Sequence, residues 1–246
     1  MVDRRHNNKI YVVKKLIYGV LFIFLGCDKP AENGVVKYSG NLKDLMTGNT
    51  TSVIKLDTLS DTRNLYALGA VERLKGEILV IDSKPIIASV EKGKMVKNNS
   101  WDTNASLLVY AQVAEWHNIN ISRAIQDKTE LEDYIKDEAK KWNINVNKPF
   151  PFIIQSNAES VKWHIIDWDK NDTTHTHQKH QNAGLRGEVV NQPTKILGFY
   201  SNQHEGVFTH RGSKTHLHFT TDDNGTAGHV DGLKLYEGAI LKLPKS

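Results

Sequence analysis

Three histidines in the C-terminal part of the sequence have the residue type and the spacing of a metal site. His216 and His218 are separated by one residue, and His229 follows after a turn-forming segment. Neutral imidazole nitrogens bind Zn²⁺ at about 2.0–2.1 Å, and catalytic zinc sites often combine three protein ligands with an open fourth position. An isolated His-x-His pair more often lies on a polar strand face, so the position of the third histidine decides the interpretation.

A predicted β-hairpin brings the third histidine to the other two. Asn-Gly at 224–225 lies between two runs of alternating apolar residues and is the strongest short hairpin signal. With these two residues as the loop, Thr220 is predicted to pair with His229. Side chains alternate with a period of two, so His216, His218 and Thr220 share one face, and His229 joins it. It would lie diagonal to His218, at about 7–8 Å between backbones. We therefore expect a divalent metal, with zinc as the ion.

The strands that must position this site dominate the sequence pattern, and few helices accompany them. The predicted strands cover 65–72, 77–82, 85–91, 105–114, 152–157, 160–168, 186–190, 194–201, 214–221, 226–235 and 239–243. One helix is predicted to begin with a capping box of Thr129 and Glu132. Its apolar face contains Leu131, Tyr134, Ile135, Ala139 and Trp142. No regular β-α-β alternation occurs, so the fold class is α+β.

The N-terminus has the parts of a secretory signal. Basic residues precede an apolar run at 16–25, which is shorter than the ~20 residues of a membrane-spanning helix. The run ends at Cys27, the one cysteine of the chain, and Phe24-Leu25-Gly26-Cys27 resembles the lipobox of bacterial lipoproteins. We expect a lipoprotein signal peptide at 1–26, lipidation at Cys27, a tether at 27–36, and export to the cell envelope with a lipid anchor in a bacterial membrane. A plain signal peptide with an incidental cysteine is the alternative.

The composition excludes two classes of protein. Hydrophobic residues make up 39% and charged residues 24% of the 246 residues, which is typical of a globular chain and not of a disordered one. The net charge is +4, and part of the excess lies within the first fifteen residues. No basic stripe with interleaved aromatic residues is present, so nucleic acid is not an expected partner.

The histidine hairpin resembles the zinc-binding hairpin of the acetolactate decarboxylase family, and the resemblance extends over about residues 37–243. The segments that carry it are 216–219 (His-Leu-His-Phe), 222–223 (Asp-Asp), 228–230 (Gly-His-Val), 196–200 (Ile-Leu-Gly-Phe-Tyr), 42–48 (Leu-Lys-Asp-Leu-Met-Thr-Gly) and 74–82 (Leu-Lys-Gly-Glu-Ile-Leu-Val-Ile-Asp). The 42–48 segment is similar to the family's opening helix. The 74–82 segment is similar to its Leu-Asp-Gly-Glu strand.

The resemblance implies an α+β fold with two mixed β-sheets and a zinc site between them. The domain would cover 37–246, with two sheet subdomains that divide near 145–150. The implied activity is zinc-dependent decarboxylation of 2-acetolactate, or of a related branched 2-hydroxy-3-oxo acid, with the metal stabilising the enediolate. His216, His218 and His229 would be the ligands, and Glu77 the carboxylate beside the metal. A small anionic substrate and assembly as a homodimer are further expectations.

Three features depart from the family pattern. The family's arginine in a Val-Lys-Thr-Arg strand is matched here by His164, which would act as a proton donor or carboxylate contact, or be a satisfied half-buried histidine. A family glutamate beyond the hairpin has no counterpart, because Glu237 lies in a loop-like context. The insertion with His175, His177 and His180 is read as a solvated loop, or as a flap over the site. The alternative function is therefore a non-catalytic envelope lipoprotein of the same fold that binds metal or a small anion.

Overall fold

The computed structural model describes residues 1–2, 33–223 and 225–245, apart from the side chains of His177 and Gln181. The predicted signal peptide, Cys27 and most of the tether lie outside these residues. No helix in the described part is long and apolar enough to cross a membrane. The chain from Ala31 to Ser246 clusters into one compact unit.

The first sheet has seven strands among the described residues: β1 (Lys37–Ser39), β2 (Ile54–Lys55), β3 (Leu65–Val71), β4 (Glu77–Ile81), β5 (Lys84–Glu91), β6 (Lys94–Asn98) and β7 (Asn104–Gln112). They are hydrogen-bonded in the order β1-β7-β3-β4-β5-β6, with β2 also paired to β7. β3 is buried from Leu65 to Ala70 on both faces, which explains its nearly continuous apolar sequence. Two 3₁₀ turns, Leu56–Leu59 and Glu72–Leu74, connect strands of this sheet.

The second sheet has six strands among the described residues: β8 (Trp116–Asn120), β9 (Phe150–Ile165), β10 (Leu185–Tyr200), β11 (Thr215–Thr221), β12 (Ala227–Leu235) and β13 (Ile240–Pro244). They are hydrogen-bonded in the order β10-β11-β12-β9-β13-β8. β9 also pairs with β10, so β9, β10, β11 and β12 close a ring. The breaks predicted within β9 and β10 are wrong, since each is one strand of 16 residues. Asn191 has a φ of 54°, and β10 keeps the same register with β9 on both sides of it.

In the described part of the chain, three helices accompany the sheets: α1 (Leu42–Met46), α2 (Lys128–Lys141) and α3 (His177–Asn182). The predicted capping box of α2 is wrong. Asp127 is the N-cap, and its carboxylate accepts a hydrogen bond from the Glu130 N–H at 2.8 Å. Glu132 is buried instead, where one of its oxygens accepts hydrogen bonds from the Ser213 and Thr215 hydroxyls. The predicted apolar face of α2 packs into the core through Leu131, Ile135 and Ala139.

The α+β class is confirmed, with two details that differ from the prediction. Every named strand pair is antiparallel, whereas mixed sheets were expected. The first sheet ends at Gln112 and the second begins at Trp116, so the division expected near 145–150 lies too late in the chain. β8 was not recognised because its sequence, Trp-His-Asn-Ile-Asn, has no apolar run.

The two sheets pack face to face, and this contact creates the site. Leu197 and Phe199 of β10 pack against Leu68 and Leu79 of the first sheet. The opposite face of the second sheet holds a separate core that includes Leu217 and Phe219 of β11. Because strand side chains alternate, His216 and His218 of β11 lie on the other face and point toward the first sheet.

Candidate metal centre

The hairpin β11–β12 places the histidines closer together than predicted. His229 lies directly opposite His218, and the Thr221 N–H donates to the Thr226 carbonyl at 2.9 Å. The predicted pairing of Thr220 with His229 is therefore wrong by two positions. The face was predicted correctly, since a shift of two residues preserves the side-chain direction.

His216, His218 and His229 form a compact buried cluster. Their ring centroids are 5.1 Å apart for His216–His218, 5.1 Å for His216–His229 and 5.3 Å for His218–His229. No side chain of the three is more than 6% exposed. Three imidazoles at this spacing need only small rotations to meet around one ion.

The imidazoles are held in the neutral form that binds a metal. Nδ1 of His218 donates to the Ile78 carbonyl at 2.9 Å, which leaves the lone pair on Nε2. Burial lowers the pKa of His218 to about 3 and lowers the pKa values of His216 and His229 well below 6.5. Nε2 of His218 and Nδ1 of His216 are buried and have no hydrogen-bond partner among the described residues. A divalent cation would satisfy both atoms, so the donor set fits the metal that the resemblance implies.

Glu77 is the first residue of β4 and points from the first sheet into this cluster. Its Oε2 lies 3.4 Å from Nε2 of His218, and its Oε1 accepts a hydrogen bond from the Ile166 N–H at 3.1 Å. One ligand atom each from Glu77, His218 and His229 lies within 4.8 Å of the others. Burial raises the pKa of Glu77 to about 7, because a charge is costly at a site that excludes water.

His164 lies beside this cluster at the end of β9, paired with His229 of β12. Its Nδ1 is 2.9 Å from both carboxylate oxygens of Asp231, and its Nε2 is 4.0 Å from Oε1 of Glu77. Burial would lower the pKa of His164, but the hydrogen bond to Asp231 and the charge of Glu77 raise it above its ordinary value. His164, which occupies the place of the family's arginine, therefore has neighbours that stabilise its positive charge.

A cavity of about 580 Å³ leads to the cluster. Its polar lining includes Glu77, His164, His216 and His229. Two exposed cationic side chains, Lys43 and Arg211, also line it. Buried apolar side chains complete much of the wall, among them Leu45, Leu74, Leu107 and Ile166. The cavity thus combines candidate metal ligands with an apolar surface, as small-molecule sites do.

The histidine-rich insertion lies at this cavity. Nδ1 of His175 is 2.9 Å from Nε2 of His180, and both rings contact Trp168, the first stacked at 4.6 Å and the second edge-on at 4.5 Å. His180 lines the cavity, whereas His177 begins α3. Of the two interpretations, this position agrees with a flap rather than with a solvated loop. Glu237 lies in the exposed turn after β12, away from the cavity lining.

Sequence reasoning missed three residues at the site: Asp231, which contacts His164, and two residues of the cavity lining. Asp231 is two residues from His229, so the strand period could have placed it on the same side. His210 and Arg211 lie on the loop that joins β10 to β11, and both line the cavity. Their sequence spacing gives no indication of this, because the loop's path depends on its tertiary contacts.

Residues 37–243 match the family described as alpha-acetolactate decarboxylase. The chain belongs to this family. The match covers the range that the resemblance predicted and confirms it. A search of curated proteins found no match.

Three solved structures share the fold. One is a Staphylococcus aureus protein of unknown function described as similar to alpha-acetolactate decarboxylase, with 15% identity and a TM-score of 0.69. The others are alpha-acetolactate decarboxylase from Bacillus subtilis strain 168, with 14% and 0.67, and acetolactate decarboxylase from Bacillus subtilis subspecies spizizenii, with 15% and 0.68. Each comparison covers 86% of both chains. The two sheets are thus the family architecture, at low sequence identity.

Proposed function

We propose that this protein decarboxylates 2-acetolactate to acetoin, or acts in the same way on a related branched 2-hydroxy-3-oxo acid. Zinc or a similar divalent cation would be held by His216, His218 and His229. The observation that carries the proposal is that the rings of these three histidines lie 5.1–5.3 Å apart, and that Glu77 lies next to His218 and His229, in a chain of the acetolactate decarboxylase family. Glu77, His216 and His229 also line the cavity.

The bound cation would supply Lewis-acid chemistry, since it draws electron density from the oxygens of a substrate. The side chains around the cation determine the net charge of the site. The three imidazoles are neutral, and Glu77, with a pKa raised to about 7 by burial, is partly protonated near neutrality. Lys43 and Arg211 add positive charge to the cavity wall. The site as a whole therefore favours an anionic substrate.

Loss of carbon dioxide leaves an electron pair that must receive a proton, and two side chains can handle that proton. Glu77 has Oε1 fixed by the Ile166 N–H, which aims the carboxyl at the histidine cluster. His164 has Nδ1 fixed by Asp231, which aims Nε2 toward Glu77. A carboxyl with a pKa near the working pH is well suited to give up and regain a proton. We assign the proton to Glu77 and a supporting positive charge to His164.

The substrate carboxylate would be bound by the cationic groups that replace the family's arginine. His164 occupies that position in the strand, and Arg211 reaches the same cavity from a different loop. An arginine binds a carboxylate through two parallel N–H groups, whereas a histidine offers one. We therefore assign carboxylate recognition to Arg211.

An acetoin assay with zinc-loaded and chelator-treated protein tests the proposal. Zinc-loaded wild type should form acetoin, and chelation or His218→Ala should abolish it. His117→Ala is the matched control, because this histidine stacks on Trp142 at 4.1 Å and is not part of the cavity wall. If zinc-loaded wild type forms no hydroxyketone from 2-acetolactate or from a related branched 2-hydroxy-3-oxo acid, the proposed decarboxylase activity is refuted. Retention of zinc by that inactive protein would favour the alternative, an envelope lipoprotein that binds metal or a small anion.

A further inference from the structure

We propose that His210 is a fourth imidazole ligand of the divalent cation, in addition to the three histidines of the hairpin. This inference rests on the proposed metal site. It concerns a residue outside the hairpin, on the loop between β10 and β11, and it makes the metal centre of this chain richer in histidine than the resemblance implies.

The position of the His210 ring carries the inference. Its centroid lies 5.4 Å from that of His229 and 5.8 Å from that of His216, close to the 5.1–5.3 Å that separates the hairpin histidines from one another. One ligand atom each from His210, His216 and His229 lies within 4.8 Å of the others. The same limit holds for Glu77, His218 and His229 on the other side. Two triads thus share His229, and one ion between them can draw on both.

The chemistry of His216 points to the same ion. Its Nδ1 is buried without a hydrogen-bond partner in the described part of the chain, while the ring also bonds to the backbone of Phe208. A buried nitrogen with an unused lone pair is costly unless a cation or a donor meets it. One ring nitrogen of His216 lies within 4.8 Å of a ring nitrogen of His210, so an ion bound to His216 would lie close to His210.

The backbone around His210 is fixed, so the ring is presented by a defined loop. The neighbouring Phe208 and Thr209 are completely buried. On the other side, the Ser213 N–H donates to the His210 carbonyl at 3.0 Å, and the Ser213 hydroxyl donates to the buried Glu132 at 2.7 Å. Nitrogens bound to a tetrahedral zinc lie about 3.3 Å apart, so rotation of side chains on this fixed backbone is sufficient to close the site.

The location of His210 gives the extra ligand a role. His210 lines the cavity, and it therefore approaches the ion from the side on which a substrate enters. It would hold the coordination position that substrate oxygens need, and it would yield that position when substrate binds. His204 on the same loop serves as the matched control. Its Nδ1 bonds to the Ser201 hydroxyl at 2.7 Å and its ring stacks on Phe208 at 4.8 Å, away from the cavity lining.

A titration of the metal-free full chain with Co²⁺, followed by visible absorption, tests the assignment. Wild type and His204→Ala should bind one ion per chain with the same affinity and the same spectrum. In His210→Ala the dissociation constant should rise at least ~10-fold, since even outer partners of metal ligands are worth ~10–100-fold. The spectrum should also change, because an imidazole is replaced by water.

His210→Phe keeps an aromatic ring without a ligand nitrogen and decides the question if the alanine variant does not fold. An unchanged affinity and spectrum in a folded His210 variant would overturn the fourth ligand and leave the hairpin site intact. Failure of wild type to bind Co²⁺ would instead overturn the metal site of the proposed function, and the fourth ligand with it.

Discussion

Removal of the metal should make the protein sensitive to acid, because three buried histidines must then remain neutral in the folded state. Burial lowers the pKa of His218 from 6.5 to about 3 and keeps the pKa values of His216 and His229 well below 6.5. Their contribution to stability is complete above pH 6.5 and is lost as the pH falls toward the folded values, since the unfolded chain takes up these protons first. Glu77 acts in the opposite direction. Burial raises its pKa from 4.5 to about 7, so between these values it is protonated when folded and releases the proton on unfolding.

The magnitude follows from the number of protons exchanged. Where all three histidines are neutral in the folded protein and charged in the unfolded chain, unfolding takes up three protons on the histidines and releases one from Glu77. Each net proton changes the free energy of unfolding by about 1.4 kcal/mol per pH unit, so two protons give a slope that approaches about 3 kcal/mol per pH unit. His164, with a pKa raised by Asp231 and Glu77 against the effect of burial, is protonated in both states over this range.

Urea unfolding of chelator-treated protein at several values between about pH 5 and 6.5 measures this slope. Replacing His229 with Gln removes one titrating group and should reduce the slope by about 1.4 kcal/mol per pH unit. Glu77→Gln removes the opposing group and should increase it by the same amount. A free energy of unfolding that is flat or rises toward acid would refute the reasoning. An unchanged slope in both variants would show that other groups cause the pH dependence.

Three further substitutions test the roles assigned to single residues. Glu77→Gln should retain the metal but lose ~10²-fold or more of the acetoin-forming rate, because the amide cannot shuttle a proton; a fully active variant would exclude Glu77 from proton transfer. His164→Arg should preserve or raise acetoin formation and flatten its pH dependence, since arginine stays charged; loss of activity with fold and metal intact would mean that the histidine has its own role. Cys27→Ser should release the protein from the membrane fraction or block its maturation, whereas a wild type already found in the soluble fraction would contradict the lipid anchor.

Most strands were predictable because each buries an apolar face. The strands missed were short ones near the sheet margins, such as β6 (Lys94–Asn98) and β8 (Trp116–Asn120). Both lie at sheet edges, where one side of the strand has no partner among the described residues and polar residues are tolerated. Their alternation is therefore too weak to recognise. The sequence pattern also divided the long strands β9 and β10 into two segments each. In β10, turn-forming residues near Asn191 interrupt the apolar pattern without ending the strand.

The hairpin histidines were predictable because the strand period decides which face a side chain takes, and this survives an error of two residues in register. The role of Glu77 was predicted from the family resemblance. The fold places Glu77 on the first sheet, facing His218 of the second sheet. The loop residues His210 and Arg211 could not be predicted. Their position depends on the burial of Phe208 and on hydrogen bonds to Glu132 of α2, contacts that no local pattern contains.

Anomalous diffraction at the zinc absorption edge, from crystals of the zinc-loaded protein, tests the central claim most directly. We predict one strong peak enclosed by His216, His218 and His229, with Glu77 beside it. The hairpin site would be contradicted by an empty cluster at full zinc loading, or by a peak at His175 and His180 in its place.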